Sequence, residues 1–176
     1  MNETVKRLLE GNQKYAASGA FAGDFSAGRR AQNASGQQPY AAVITCSDSR
    51  VVPEAIFSAG LGELFVIRTA GNVVGVSELA SLEYAAAHLH IRTVVVLGHT
   101  GCGAVHAALC GELDGAVGAV TGRIRRAADG ETDPRRVCAL NVRDGVETVR
   151  AAVGGEDVEV VGGIYDIVSG RVELLD

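Results

Sequence analysis

The sequence predicts an α/β fold: a central, mostly parallel sheet of four strands plus an antiparallel edge strand, with helices on both faces. Three observations carry this. Short, nearly continuous apolar runs at 41–45, 64–68, 93–97 and 158–161 have the composition of strands buried on both faces. Segments with helical spacing separate those runs, as crossovers between parallel strands require. Ser169-Gly170 then supplies a tight turn before 171–175, so the last strand returns antiparallel.

A chain of 176 residues, 47% apolar, can bury one core, and its 23 glycines are spread along the chain rather than gathered in a linker. We therefore expect one domain over 1–176, with a helix and arm in 1–38. A net charge of -5 argues against nucleic-acid or anionic-membrane partners, which favour a basic face. Arg123, Arg125, Arg126, Arg135 and Arg136 form a local basic cluster that reads as a solvated helical face. The first residues are charged and amphipathic, and no apolar run could span a bilayer, so the chain reads as cytoplasmic. In that compartment the four cysteines are expected to be metal-bound or free rather than paired.

Taken in order, 4–17 carries Val5, Leu8, Leu9 and Tyr15 on one helical face, with Asn2 or Thr4 as cap. Residues 18–38 lack periodicity and read as an arm with a short helix near 27–31, of a length that leans on something, such as a partner subunit. Strand one covers 40–45 and ends at Cys46. Pro53 opens a short helix to Ser58, which Gly60 and Gly62 break. Strand two covers 64–68, and Gly71-Asn72 turns the chain. Ser77 can cap a helix to about His88, with Leu79, Leu82, Ala86 and Leu89 in one stripe. Strand three covers 93–97. A helix starts near Cys102 and runs to Leu109, and 111–130 reads as a weak helix or a helix with loops. Asp133-Pro134 is a strong start for a helix to about Val153, which Gly154-Gly155 ends. Strand four covers 158–161 and strand five 171–175.

Two strand ends carry the chemistry. Cys46-Ser47-Asp48-Ser49-Arg50 follows the first strand, and Gly98-His99-Thr100-Gly101-Cys102-Gly103 follows the third. With strands one and three adjacent and strand two outside strand one, both ends lie at the switch point, where open parallel sheets bind ligands. Zinc takes thiolate and imidazole ligands tetrahedrally, and catalytic sites leave one position open. Cys46, His99 and Cys102 would form such a Cys2His site. Taken alone, His-x-x-Cys also fits a turn with a buried thiol; the placement of Cys46 favours the metal.

Asp48 and Arg50 point the same way if the segment is extended, and an Arg–carboxylate pair keeps the Asp ionised and oriented. That pair fits a plain structural salt bridge as well as a carboxylate aiming a metal-activated water. Two thiolates leave zinc nearly neutral, so water is acidified less than at an all-histidine site, and a carboxylate competing for the metal at lower pH is a possible switch. Cys110 and Cys138 read as small buried hydrophobes. His88, His90 and His106 read as surface or helix-end residues. Gly98, Gly101 and Gly103 match neither G-x-G-x-x-G nor a P-loop.

These motifs resemble those of the β-class carbonic anhydrases. The resemblance extends through Gly62-Glu63-Leu64-Phe65-Val66-Ile67-Arg68-Thr69-Ala70-Gly71-Asn72 and Leu82-Glu83-Tyr84-Ala85, and more weakly through Leu140-Asn141-Val142 and Gly163-Ile164-Tyr165. It covers most of the chain from Leu8 onward. It implies zinc-dependent reversible hydration of carbon dioxide to bicarbonate, with one zinc on Cys46, His99 and Cys102. It further implies that Asp48 orients the zinc-bound hydroxide and that Arg50 fixes Asp48. Gln37, with Gln38 as fallback, would hydrogen-bond substrate. Phe65, Ala70, Tyr84 and Gly103 would line the pocket, though Phe65 and Tyr84 fit ordinary core packing equally well. In the family those groups come partly from the other subunit, so a homodimer or higher even oligomer is implied.

One branch of the family has a regulatory bicarbonate site with a Trp three residues before the first Cys. Val43 stands at that position here, so no such site and an open zinc at neutral pH are expected. Residues 111–134 carry no clear family signal, and the short N-terminal arm weakens the case for the higher oligomer. The competing functions are a sister zinc hydrolase acting on carbon disulfide or carbonyl sulfide, and a non-catalytic zinc-stabilised binding protein.

Overall fold

The computed structural model describes residues 1–20, 22–111, 114–153 and 157–175. Five strands form one sheet in the order β2-β1-β3-β4-β5. They are β1 (Ala41–Cys46), β2 (Leu64–Thr69), β3 (Thr93–His99), β4 (Glu159–Tyr165) and β5 (Val172–Leu175). The pairs β1–β2, β1–β3 and β3–β4 are parallel, and β4–β5 is antiparallel. The expected fold class and the expected neighbours of the first strand are therefore observed.

Every residue of β1 and β3 is buried, because helices cover both faces of the sheet. Alternation divides β1 between two cores. Ala42 and Ile44 pack with Val94, Val96 and with Leu82 of α4 (Val76–His88) and Val142, Val146 and Val149 of α7 (Pro134–Val153). Ala41 and Val43 face the other way, against Leu8 of α1 (Glu3–Ser18) and Ile56 of α3 (Pro53–Ile56). Each fully buried aliphatic side chain contributes about 1.5–3 kcal/mol, so these two layers dominate stability. The remaining helices are α2 (Ala27–Gln32), α5 (Gly103–Cys110) and α6 (Gly118–Ala128). Among the described residues, no helix is long and apolar enough to cross a membrane.

Local signals act largely as expected. Asn2 caps α1 by accepting the Val5 N–H at 3.0 Å, and Asp133 accepts the Arg136 N–H at 2.9 Å at the start of α7. The stop expected at Gly154-Gly155 lies outside the described residues. The arm leans on its own chain: Leu61 donates to the Asp24 carbonyl at 3.0 Å, and Arg29 Nε donates to the Leu61 carbonyl at 2.9 Å.

Four details differ. Ser77 does not cap α4. Gly75 is the cap residue, and its N–H is accepted by the Glu78 carboxylate at 2.8 Å. β4 runs through Gly162 and Gly163 to Tyr165 rather than stopping at Val161. A Cβ on Gly162 would lie 2.9 Å from Val142 Cγ1 and one on Gly163 3.3 Å from Val172 Cγ1, so the first glycine marks the close crossing of α7 and the second the close pairing with β5, not a strand end. His99 is the last residue of β3 rather than lying beyond it. Cys110 is exposed, because α5 turns Val105 and Ala108 inward and leaves its last residue on the outer side.

Candidate metal centre

The register of the sheet assembles the site. Thr45 pairs with Leu97, so Cys46 and His99 leave adjacent strand ends within one residue of each other. Gly101, at φ +67, turns the chain back so that Cys102 forms the N-cap of α5. The ligand atoms of Cys46, His99 and Cys102 then lie within 4.8 Å of one another, and all three residues are buried.

Two features fit this cluster to a metal ion. The Cys46 and Cys102 sulfurs are 4.0 Å apart, and tetrahedral zinc with Zn–S of about 2.3 Å separates two thiolates by about 3.8 Å. His99 is fully buried. Its Nδ1 lies 3.0 Å from the Thr100 carbonyl, which can only accept, so Nδ1 carries the proton and Nε2 presents a lone pair. That Nε2 has no hydrogen-bond partner, and a buried ring nitrogen left unpaired is costly unless something binds it. The donor set of two sulfurs and one imidazole suits zinc.

The electrostatics favour a cation at the centre. Cys46 is driven toward the thiolate chiefly by the neighbouring Cys102 thiol, and also by His99 and the backbone amides of Asp48 and Gly71. The same pairing, together with burial, pushes Cys102 up, opposed by the amides of Val105 and Ala104 at the start of α5. Burial disfavours the charged form of His99, but the Cys46 thiolate outweighs it and raises the pKa. Cys138, pushed up to about 11 by burial, stays a thiol and donates to the His99 carbonyl at 3.4 Å.

Asp48 and Arg50 meet as a fork. Arg50 Nε donates to Asp48 Oδ1 at 2.9 Å and Nη2 donates to Oδ2 at 2.7 Å, while the Arg50 N–H adds a third bond to Oδ1 at 3.0 Å. The guanidinium holds the Asp48 carboxyl well below the usual carboxylate range. Asp48 Oδ2 lies 3.9 Å from His99 Nε2, so the carboxylate faces the ligand cluster. Arg50 also reaches the Gly101 carbonyl at 3.3 Å, linking the two motifs.

Of the expected pocket residues, Gly103 lies beside the cluster, whereas Gln37, Phe65, Ala70 and Tyr84 do not gather there within one chain. A cavity of about 1100 Å³ is lined by His99, Cys102, Gly103, Val105, Ile164 and Asp166, among others, and includes none of Gln37, Phe65, Ala70 or Tyr84. Gln37 and Gln38 line a separate cleft of about 390 Å³ with Arg29 and Asn33. Phe65 packs against the α4/α7 core, and Ala70 is exposed in the 3-10 turn Ala70–Asn72. Tyr84 is 49% exposed, its ring centroid 4.9 Å from that of His88.

Three residues around the cluster escaped the sequence reading. Arg68 grips the Asp48 carbonyl at 2.6 Å and the Cys46 carbonyl at 3.3 Å. Gly71 donates its N–H to Cys46 Sγ at 3.2 Å, and Asn141 donates to the Gly71 carbonyl at 2.8 Å. All three lie in stretches that carry the family resemblance, but the sequence reading gives none of them a role at the site; Asn141 stands out further as a polar residue on the apolar face of a helix.

A buried Cys2His cluster at the switch point of a parallel sheet, with an arginine-clamped carboxylate beside it, is an arrangement that could hold a metal ion on an α/β fold. The carbonic anhydrase family profile matches residues 41–172. Carbonic anhydrase 2 of Mycobacterium tuberculosis is 38% identical over 97% of this chain and 91% of its own length. The carbonic anhydrase of Mycolicibacterium smegmatis is 36% identical over 96% and 90%. Among solved structures, the Coccomyxa β-carbonic anhydrase bound to acetazolamide superposes with TM-score 0.79 at 29% identity, covering 99% of this chain and 87% of that one. A tetrameric β-carbonic anhydrase of Sordaria macrospora gives 0.73 at 29% identity, covering 99% and 98%. This chain belongs to the carbonic anhydrase family, in its β class.

Proposed function

We propose that this chain hydrates carbon dioxide reversibly to bicarbonate and a proton, using one zinc ion on Cys46, His99 and Cys102 and the Asp48–Arg50 pair beside it. The observation that carries the reading is the position of Asp48: an ionised carboxylate, clamped by Arg50 and facing the unpaired Nε2 of a buried His99. Zinc held there supplies Lewis acidity that turns water into a nucleophile near neutral pH.

The chain's own residues then orient the reaction. Arg50 occupies one side of both Asp48 oxygens, and Oδ2 keeps lone-pair capacity to accept the nucleophile's remaining hydroxyl proton. That hydrogen bond turns an oxygen lone pair toward the carbon of the substrate. The three ligand residues are buried, while the Asp48–Arg50 pair lies at the solvent-facing side of the cluster, where water can reach it. The released proton passes to buffer.

The dispersed positions of Gln37, Phe65, Ala70 and Tyr84 support a homodimer in which each subunit completes the other's pocket. Exposure of Tyr84 and Val76 on α4, next to the β2 edge of the sheet, is consistent with such a contact.

The test is stopped-flow hydration of carbon dioxide by protein of measured zinc content, with carbon disulfide and carbonyl sulfide assayed in parallel. We expect carbon dioxide turnover proportional to zinc. No rate above buffer at full zinc loading, or turnover of the sulfur compounds alone, would overturn the assignment.

A further inference from the structure

The metal ligands are themselves held by α7, which contributes no ligand. We propose that Asn141 is a positioning residue for the Cys46 thiolate, acting through Gly71. The inference rests on the zinc reading above.

Gly71 must be glycine. It sits at φ +63, and a Cβ there would lie 2.8 Å from Ile124 Cδ1 and 3.0 Å from Ala104 Cβ. It must also be fixed, because its N–H is one of two backbone donors to Cys46 Sγ, with Asp48 N–H at 3.4 Å as the other. A residue without a side chain cannot anchor itself by packing. The anchor comes from Asn141, 3% exposed, whose Nδ2 donates to the Gly71 carbonyl at 2.8 Å.

The identity of residue 141 points the same way. Val137, Cys138, Val142 and Val146 surround it on the buried side of α7. An aliphatic residue would suit that face, and an amide buried there is unfavourable unless bonded. Its amide group is spent on the turn that delivers a hydrogen bond to a ligand sulfur. Such outer partners orient metal ligands and tune their donor strength. One turn earlier, Cys138 donates to the carbonyl of His99, so α7 touches both ligand-bearing segments.

An N–H···S bond withdraws density from a thiolate. Losing it raises the sulfur donor orbital and moves a sulfur-to-metal charge-transfer band to lower energy. The test is the optical spectrum and metal affinity of the full chain loaded with cobalt(II). In Asn141→Leu we expect the sulfur-to-cobalt band to shift to lower energy and cobalt to bind about 10–100-fold more weakly. Asn141→Ser, too short to span the same gap, should behave alike and serves if the Leu variant fails to fold. Val149→Ala, fully buried on the same helix two turns away, should lower thermal stability while leaving band and affinity at wild-type values. Wild-type band and affinity in the Asn141 variants, or equal shifts in Val149→Ala, would overturn the role of Asn141. A wild-type chain with no sulfur-to-cobalt band would instead overturn the zinc reading, and this inference with it.

Discussion

Gly98→Ala tests whether the approach of α7 to β3 sets the position of His99. A methyl group at 98 would lie 2.6 Å from Val142 Cγ2, 3.0 Å from Cys138 Sγ and 3.2 Å from Ile164 Cδ1. Carbon–carbon contacts relax near 3.5–4.0 Å, so Val142 or the strand must yield by about 1 Å. Overpacking of this kind costs about 1–3 kcal/mol. Because His99 is the next residue, the same movement shifts its ring relative to Cys46 and Cys102, and metal affinity depends on how its ligands are oriented. We expect urea unfolding of the zinc-loaded protein, at fixed free zinc, to show a loss of about 1–3 kcal/mol. We expect a chelator competition to show at least a tenfold weaker zinc affinity. Val142→Ala alone should cost about 2 kcal/mol through lost burial and a cavity. Combined with Gly98→Ala it removes the worst clash, so the double variant should be more stable than the sum of the two losses by about 1 kcal/mol. Additive losses, or a Gly98→Ala protein within about 0.5 kcal/mol of wild type and unchanged in zinc affinity, would refute the close-packing argument.

Cys46→Ser should lose a ligand and the sulfur that the Gly71 and Asp48 amides address; elemental analysis should fall from one zinc per chain to near zero, with a marked drop in thermal midpoint. Arg50→Ala should keep its zinc but lose roughly 100-fold or more in kcat. Its pH profile carries a sign: the Arg50 bonds are the main cause of the low Asp48 pKa, so without them the carboxyl protonates at higher pH and the acid limb of activity moves up. An unmoved acid limb and wild-type kcat would remove Asp48 and Arg50 from the mechanism. If the proposed homodimer packs through α4, Tyr84→Arg, at an exposed position on that helix, should give monomer in sedimentation and lower turnover while leaving zinc content intact; an assembly unchanged from wild type would overturn that contact.

What could be read from the sequence was what a strand end announces locally. β1 and β3 are continuous apolar runs, and each is followed at once by its motif, so Cys46, His99 and Cys102 could be joined by sheet topology alone. The Asp48–Arg50 fork was legible for a similar reason, since both partners lie in one short turn. What failed were features decided through space, several of them by α7. Gly162 and Gly163 lie beyond the expected end of β4; the reason for Gly162 is the Val142 side chain packed where a Cβ would be, while Gly163 lies against Val172 and Glu173 of β5. Gly98 is explained by the same helix and the same valine. Arg68, Gly71 and Asn141 act through partners remote in sequence, and no local pattern encodes which carbonyl a side chain will reach. α7 therefore has two jobs that its periodicity shows only as one. It closes one core through Val142, Val146 and Val149, and through Cys138 and Asn141 it hydrogen-bonds the carbonyls of His99 and Gly71 beside the Cys2His cluster. Coupling both tasks to one helix means that a change at the few α7 contacts beside the cluster, at Gly98 or Asn141, reaches the ligand-bearing segments, while a defect two turns away at Val149 does not. This is why the Gly98→Ala and Asn141→Leu variants are expected to weaken metal binding without touching a ligand.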